Sequence, residues 1–273
     1  MSTRAPFVDI HCHLLPGVDD GAADIDESLR LIEQGIEDGV GAWVLTPHVM
    51  TAFTEEIDKH YCAVFEELLE AVERRGFGVE LYLGSEIMFQ EDVDTIRSRQ
   101  TATFNENGRY FLMEFPIAFF PSHAEEILFK FQIAKMTPII AHVERYSSLT
   151  QQPEMITRMV ERGILFQVNA RSIMKRSPSQ LRRVAEDLIM SGAVHFVASD
   201  AHNVQNRPVE LREAYERTVA LVGEETANRL FIENPRAAIA GEKIENPEPD
   251  FPERSTWLSR ILDRFTRRPP SVE

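Results

Sequence analysis

Two histidines separated by one residue, His11 and His13, are the first groups in this chain whose type and spacing could do chemistry. They end a short apolar segment of strand character, and side chains on a strand alternate between its faces. Asp9, His11 and His13 are therefore predicted to point the same way. Two neutral imidazoles spaced in this way can bind one divalent transition metal. The turn that follows offers Asp19 and Asp20 as oxygen ligands. The pair alone is equally typical of two buried histidines, so the interpretation depends on the rest of the chain.

Further ionisable residues follow the later apolar segments, each close to the point where a predicted strand ends. They are His48, Glu86, Glu114, His142, Asp200 and His202. Singly, each could cap a turn or lie in an exposed loop. Together with His11, His13 and Asp20 they make four carboxylates and five imidazoles, and burying so many ionisable groups in one place is costly without counter-charge. The combined pattern predicts a site for several divalent cations, with carboxylates bridging between them.

The elements that must position these residues alternate between strand and helix along the chain. Strands are predicted at residues 7–13, 42–46, 79–83, 110–113, 138–141, 164–168 and 195–198, with amphipathic helical segments between them. This alternation predicts an α/β fold in which helices cover a parallel sheet. An open doubly wound sheet and a closed barrel both fit it. Ligand-type residues follow almost every strand, and a barrel gathers all strand carboxyl ends at one face, so the pattern favours a (β/α) barrel.

The composition of the chain argues against several classes of partner and mechanism. The 273 residues carry a formal net charge of −15, which argues against a nucleic-acid partner bound by a broad basic surface. Two cysteines imply no disulfide framework, and the absence of a long apolar run makes a cytoplasmic location the expectation. Cysteine-dependent phosphatases need an arginine six residues after the nucleophile. Val18 and Leu68 stand at that distance from Cys12 and Cys62, so both cysteines are interpreted as core thiols.

The order of the motifs H-x-H, D-D-G, T-P-H, G-S-E, M-E-F, A-H-V-E-R-Y, Q-V-N and S-D-A-H-N resembles the PHP (polymerase and histidinol phosphatase) superfamily. More narrowly, it is similar to the metal-dependent protein-tyrosine phosphatases of the CpsB/CapC type from bacterial capsule and exopolysaccharide loci. The resemblance covers residues 7 to 244. It implies a distorted (β/α)7 TIM-like barrel with three divalent ions, most often Mn²⁺, with Fe, Co and Zn as alternatives. It also implies hydrolysis of protein phosphotyrosine by a metal-bridging hydroxide, and a bacterial tyrosine kinase as partner in regulating capsule synthesis.

Carried over by motif, the resemblance implies a role for each site residue. The first metal would be held by His11, His13, Glu86 and Asp200; the second by Glu86, Glu114 and His142; the third by Asp20, His48 and His202. The sequence alone does not separate Asp19 from Asp20. Arg145 and Arg207 would grip the phosphate, Asp200 or a nearby imidazole would donate a proton, and His123 is a candidate for contact with substrate.

The chain is divided into a barrel at residues 1–245 and a tail at 246–273. The tail begins with a Pro-rich acidic linker and continues as a basic amphipathic helix around Trp257, Leu258, Ile261, Leu262 and Phe265. Docking of this helix on its own barrel, or on a second subunit of a homo-oligomer, is favoured over contact with an anionic membrane. Two alternative functions stay open: another PHP phosphoesterase, such as a histidinol-phosphate phosphatase or a nucleotide hydrolase, and a non-catalytic binding module stabilised by metal.

Overall fold

A computed structural model of the chain describes residues 5–251. The basic amphipathic helix predicted for the tail lies outside these residues. Within the described range the protein is an α/β structure in which every strand pair is parallel, as the sequence predicts.

Nine strands occur within residues 5–251, two more than the sequence predicts. They are β1 (Phe7–Cys12), β2 (Val40–Leu45), β3 (His48–Val49), β4 (Glu80–Leu83), β5 (Glu86–Met88), β6 (Tyr110–Glu114), β7 (Thr137–Ile140), β8 (Leu165–Asn169) and β9 (Phe196–Ala198). The additional strands are β3 and β5, which resume pairing two residues after β2 and β4 end. They contain only two and three residues, too few to show an alternating pattern in the sequence.

The strands form two sheets, ordered β1-β2-β4 and β3-β5-β6-β7-β8-β9. The two sheets meet where β9 comes beside β1, with Cys12 bridged to Ala201. There, the backbone N–H of His13 donates to the Ala201 carbonyl at 2.8 Å, and that of Asp200 donates to the His11 carbonyl at 2.8 Å. We call this contact the seam. Because all strands run in the same sense, their carboxyl ends gather at one side of the molecule.

Helices connect the strands and cover the sheets. They are α1 (Ile25–Asp38), α2 (Glu55–Arg75), α3 (Val93–Arg97), α4 (Ala124–Ile133), α5 (Ser147–Thr150), α6 (Pro153–Glu161), α7 (Ala170–Ile173), α8 (Ser179–Met190), α9 (Arg212–Val222), α10 (Glu224–Asn228) and α11 (Asn234–Ala240). Asp24 caps the start of α1, since its side chain accepts from the N–H of Glu27 at 2.8 Å. Among the helices of residues 5–251, none has the length and apolar character needed to cross a bilayer.

The core lies on both sides of the strands. A larger cluster fills the space between strands and helices, and a smaller one includes Val8, Ile10, Val44 and Leu112. Cys12 packs in the larger cluster whereas Ile10 packs in the smaller one, so the regular alternation predicted for β1 is interrupted. The cause is a shift in the β1–β2 register between Asp9 and Cys12.

The end of the described chain differs from the prediction. After β9, α9 begins at Arg212, and α10, a π-helical turn (Arg229–Glu233) and α11 follow it. The beginning of the predicted linker packs against the barrel. The Asn246 side chain hydrogen-bonds to buried His195, and the N–H of Asp250 donates to the Ser191 carbonyl at 2.8 Å.

Candidate metal centre

All nine predicted ligands converge at the carboxyl ends of the strands. The first group joins four atoms, and every measured separation among them lies between 3.2 and 3.6 Å. The atoms are the Nε2 atoms of His11 and His13, Oε2 of Glu86 and Oδ1 of Asp200. Glu86 is 1% exposed and Asp200 6% exposed, so this group is almost entirely removed from solvent.

Two further groups extend from the first. On one side, Nε2 of His142 lies 3.1 Å from Oε1 of Glu86 and 3.5 Å from Oε1 of Glu114. On the other, Oδ1 of Asp20 lies 3.5 Å from the Nε2 atoms of both His48 and His202. Glu86 thus contributes one oxygen to the first group and the other to the second, which is the geometry of a bridging carboxylate.

The second ring nitrogen of His48, Nδ1, lies near the carboxylates of Glu86 and Glu114. It lies 3.0 Å from Oε2 of Glu86 and 3.7 Å from Oε2 of Glu114. His48, Glu86 and Glu114 together have the proximity of a metal-binding set, as do His13, Asp20, His48 and His202. His48 therefore lies between two of the groups, whereas the resemblance assigns it to the third metal alone.

The backbone is strained at two of these residues. His142 has φ of 34° and Asp200 has φ of 54°, in the left-handed region that residues other than glycine rarely adopt. Each lies two residues beyond the end of a strand, His142 after β7 and Asp200 after β9. The unusual backbone turns both side chains back towards the cluster.

Four of the five histidines have a hydrogen-bond partner at Nδ1, on the side of the ring away from the cluster. Nδ1 of His13 lies 2.8 Å from Asp19 Oδ2, and Nδ1 of His202 lies 3.0 Å from the Asp200 carbonyl. Nδ1 of His11 lies 3.0 Å from Gln167 Oε1, and Nδ1 of His142 lies 3.2 Å from the Tyr146 hydroxyl. The first three partners are acceptors, and an acceptor at Nδ1 selects the tautomer with its proton there, which leaves the Nε2 lone pair directed at the cluster.

The two neighbouring aspartates have different environments. Asp19 hydrogen-bonds to the His13 ring and accepts from the N–H groups of Gly21 at 2.9 Å and His48 at 3.0 Å. These contacts keep the pKa of Asp19 at about 2, against the opposing effect of its burial. Asp20 is the aspartate whose oxygen lies within the cluster, and it is 67% exposed. The geometry favours Asp20 as the ligand and Asp19 as the group that orients His13.

Gln167 connects three ligands, and the sequence reasoning missed it. Besides its contact with His11, its Oε1 accepts from the N–H of His142 at 2.8 Å. Its Nε2 donates at 2.9 Å to Asn169, whose Nδ2 donates to Asp200 Oδ2 at 2.6 Å. Gln167 is fully buried. The signal was present, since Gln167 lies two residues before Asn169 on β8 and therefore on the same face.

Asp9, predicted to point with the histidines, instead secures the seam. Its carboxylate accepts from Ser199, at 3.0 Å from the N–H and 2.5 Å from the hydroxyl. Burial raises the pKa of Asp9 to about 6, despite these hydrogen bonds.

Charge in the cluster is balanced by the ligands and by two neighbouring groups, Asp19 and Arg207. Burial opposes ionisation of Asp200, but the positive charges near it, first His11 and then Arg207, lower its pKa to about 2. Burial likewise lowers the basicity of His13 and His142, yet their contacts with Asp19, Glu86 and Glu114 raise both pKa values to about 10. Two imidazoles that hold protons this strongly mark a region of concentrated negative charge, which is what a divalent cation requires. An ionised Asp200 does not favour its predicted role as proton donor.

The residues fit a set of bound cations. Within the described residues, His48 Nδ1, Glu86 Oε2 and His202 Nε2 are buried and have no hydrogen-bond partner. Buried polar atoms are normally paired, so such orphans need a reason. Imidazole nitrogens and carboxylate oxygens bind zinc-like ions at about 2.0–2.2 Å, which places two ligands of one ion roughly 3–3.5 Å apart. The separations measured here have that size.

The two predicted phosphate-binding arginines both approach Asp200. Nη2 of Arg207 lies 2.7 Å from Asp200 Oδ2, and Nη1 of Arg145 lies 4.0 Å from the same oxygen. The other oxygen of Asp200 faces the histidines, so this carboxylate separates the arginines from the cluster. Each arginine remains more than one-third exposed.

His123 and the aromatic run after β6 are less directly connected to the cluster. Nε2 of His123 lies 2.8 Å from Glu91, and both side chains are exposed. Phe115 is fully buried and packs against the rings of Phe89, Phe120 and Tyr146. The loop is therefore packed at Phe115, whereas Ile117 and Phe119 are 47% and 57% exposed.

Comparison with known proteins points to one family. The family model described as capsular polysaccharide synthesis, CpsB/CapC, matches residues 7–240. The putative tyrosine-protein phosphatase CapC of Staphylococcus aureus is 30% identical over 260 residues, covering 93% of this chain and 100% of that protein. Tyrosine-protein phosphatase CpsB of Streptococcus agalactiae serotype III (strain NEM316) is 31% identical over 244 residues, covering 87% of this chain and 100% of that protein.

A solved structure agrees with these relatives. It comes from the crystal structures of YwqE from Bacillus subtilis and CpsB from Streptococcus pneumoniae, described as unique metal-dependent tyrosine phosphatases. The match has a TM-score of 0.81 at 27% identity and covers 90% of this chain and 99% of that one. Every residue of the cluster lies within the span that the family model matches.

Proposed function

The chain belongs to the CpsB/CapC family of capsular polysaccharide synthesis, and from this membership and the metal centre we propose that it is a metal-dependent protein-tyrosine phosphatase. It hydrolyses phosphotyrosine on protein substrates and needs no catalytic cysteine. Burial raises the pKa of Cys12 well above its usual value, so this thiol is not an available nucleophile.

We further propose that three divalent ions, most often Mn²⁺, occupy the three ligand groups. A divalent ion in such a site acts as a Lewis acid, which lowers the pKa of coordinated water towards 7 and neutralises charge on phosphoryl oxygens. The chain's own contribution is positional. Gln167, Asp19 and the Asp200 carbonyl hold three imidazoles in the required tautomer, and Glu86 spans two groups.

Arg145 and Arg207 bind the phosphate in this proposal. A guanidinium presents a planar pair of donors that matches two phosphate oxygens. Both arginines already contact or approach the carboxylate of Asp200, and both are partly exposed, so a phosphate at the cluster could be reached by both side chains. His123, which lies on a loop of the same molecular face beside Phe89, remains a proposed substrate contact.

The finer description of the fold is also a proposal. Taking β2 with β3 and β4 with β5 as interrupted strands gives seven strand positions that close at the seam, as in a distorted (β/α)7 barrel. We also propose a bacterial tyrosine kinase as substrate, a role in exopolysaccharide or capsule synthesis, and a cytoplasmic location; the family description supports the role in capsule synthesis.

The observation that carries the proposal is the group of four atoms from His11, His13, Glu86 and Asp200, in which the two imidazole nitrogens lie 3.3 Å apart and each lies within 3.6 Å of both carboxylate oxygens. The test is hydrolysis of a phosphotyrosine peptide beside a phosphoserine peptide, histidinol phosphate and a dinucleotide. Each is assayed with Mn²⁺, with chelator, and with His142→Ala.

Chelator-sensitive hydrolysis of phosphotyrosine alone, lost in His142→Ala, is the expected result. Preference for histidinol phosphate or the dinucleotide would overturn the substrate while keeping the metal centre. Metal binding without hydrolysis of any substrate would indicate a binding module instead.

A further inference from the structure

A cavity of about 380 Å³ opens beside Arg145, on the side of the molecule that carries the metal centre. Its apolar wall consists of Ile117 from the loop after β6, and Pro178, Leu181 and Val184 from the start of α8. Glu144, Ser147, Thr150, Gln151 and Gln180 complete the lining. The volume lies within the range of small-molecule sites, and the mixture of an apolar wall with a few polar groups is typical of them.

Arg145 belongs to both the cavity and the metal centre. It lines the cavity, and its Nη1 lies 4.0 Å from the Asp200 carboxylate. It is the only cationic side chain in the lining, so the rest of the cavity does not suit the phosphate itself. In a phosphate ester the organic group is joined to phosphorus through one oxygen. If Arg145 binds the phosphate, the organic group must lie beside this side chain, at the mouth of the cavity.

The neighbouring aromatic loop offers a less enclosed surface. Phe115 is fully buried, and its ring lies 4.8 Å from that of Phe89 and 4.5 Å from that of Phe120. These three rings pack on one another, whereas Phe119 of the same loop is 57% exposed and does not line the cavity. Ile117, in the same loop, is instead 47% exposed at the cavity.

We propose that this cavity receives the aromatic ring of the phosphotyrosine side chain and selects aryl phosphates over alkyl phosphates. The inference rests on the proposed phosphatase function and names the part of the site that recognises the tyrosine. A ring gains from burial against Leu181 and Val184, and its face can stack on the Arg145 guanidinium. A phosphoserine side chain is too short to reach this wall while its phosphate stays beside Arg145.

The test fills the cavity and measures two ligands that differ only in the ring. Val184→Phe places a phenyl group in the proposed ring site. The Mn²⁺-loaded enzyme is assayed for kcat/KM on phenyl phosphate and a phosphotyrosine peptide, and for inhibition by phenylphosphonate and by inorganic phosphate. We expect Val184→Phe to lower both kcat/KM values, and to raise the inhibition constant of phenylphosphonate, by about 10- to 200-fold. Inhibition by inorganic phosphate should stay within twofold, because the arginines are unchanged.

Two further variants separate a specific effect from a folding effect. Ile117→Ala removes an exposed side chain that is not part of the core clusters. We expect it to weaken inhibition by phenylphosphonate less strongly than Val184→Phe does. Met190→Phe is the matched control, since it adds a phenyl group on the same helix at a residue that is 49% exposed and does not line the cavity. It should leave both inhibitors unchanged.

The possible outcomes distinguish the two proposals. A wild-type enzyme that hydrolyses neither aryl substrate refutes the proposed function. If the wild type hydrolyses both and Val184→Phe leaves both unchanged, only the ring site is refuted. If Val184→Phe lowers activity on the peptide but not on phenyl phosphate, the cavity receives a neighbouring residue of the substrate and the ring proposal is wrong. If Val184→Phe weakens inhibition by phenylphosphonate and by inorganic phosphate equally, the ring proposal is also wrong.

Discussion

Replacing Gln167 with leucine should weaken metal binding although Gln167 is not itself a ligand. The side chain accepts from His11 Nδ1 at 3.0 Å and the His142 N–H at 2.8 Å, and it donates to Asn169 Oδ1 at 2.9 Å. Leucine has similar size but makes none of these hydrogen bonds. Three buried polar groups would lose a partner, and the His11 ring would lose the contact that fixes its tautomer.

The magnitude follows from these three contacts. A buried polar group left unsatisfied costs about 1–3 kcal/mol, so the metal-free protein should lose at least about 3 kcal/mol of unfolding free energy. Loss of a group that orients a metal-ligating histidine typically reduces affinity by about 10- to 100-fold. We therefore expect the apparent Kd for Mn²⁺ to rise by one to two orders of magnitude.

The assay measures both quantities separately. Urea unfolding in chelator gives the stability of the metal-free protein, and competition with a fluorescent chelator gives the Mn²⁺ affinity of the folded protein. Gln34→Leu is the control for the same change of residue outside the metal centre, because Gln34 is partly buried and its amide donates to the Val204 carbonyl at 3.5 Å. Gln167→Glu keeps an oxygen acceptor for His11 and His142 and should retain affinity. A folded Gln167→Leu protein with wild-type Mn²⁺ affinity would refute the reasoning.

Three other perturbations have expected outcomes. In Gly21→Ala the new Cβ would lie 2.5 Å from the His13 Cβ, so we expect a loss of about 1–3 kcal/mol in urea unfolding together with weaker Mn²⁺ binding; wild-type values for both would contradict this. Burial lowers the pKa of His195 to about 4, below the value of about 6.5 in an unfolded chain, so its contribution to stability is complete above pH 6.5 and is lost as the pH falls towards 4. The free energy of unfolding should therefore fall more between pH 7 and pH 5 in the wild type than in His195→Gln. The extra loss is roughly 1.4 kcal/mol per pH unit within that window. An equal loss in both proteins would exclude the effect. Arg207→Ala should raise the inhibition constant of inorganic phosphate by about 10- to 100-fold with Mn²⁺ affinity largely retained; the reverse pattern would mean that Arg207 serves only to hold Asp200.

Much of the fold was predictable because its signals are local and repeated. Each of the longer strands is a short apolar segment between amphipathic helical patterns. The ligands could be recognised because parallel strands bring their carboxyl ends together, so that position along the chain predicts position in space.

Other features depend on tertiary contacts that no local pattern reveals. The two strands β3 and β5 are defined by their pairing with each other and with β6, and not by an alternation of residue types. Gln167 acts through partners 25 and 156 residues away in the sequence. Asn246, predicted to start a linker, instead hydrogen-bonds to His195, a buried histidine directly before β9. The choice between Asp19 and Asp20 required the direction in which each side chain points.

The seam has a consequence for how the protein is made. Asp9 and Ser199, which hold the seam together, are 190 residues apart in the sequence. Asp200 follows His11, and His202 follows His13, by 189 residues in each case, so they leave the ribosome much later. The first metal group needs residues from both parts of the chain, so a nascent chain can hold it only after the segment that ends with Asp200 has been translated. Contacts this distant also slow folding, because a long loop must close before they form. Truncated chains released before residue 200 would therefore carry the H-x-H pair without the centre, and metal capture would be a late step that reports completion of the barrel.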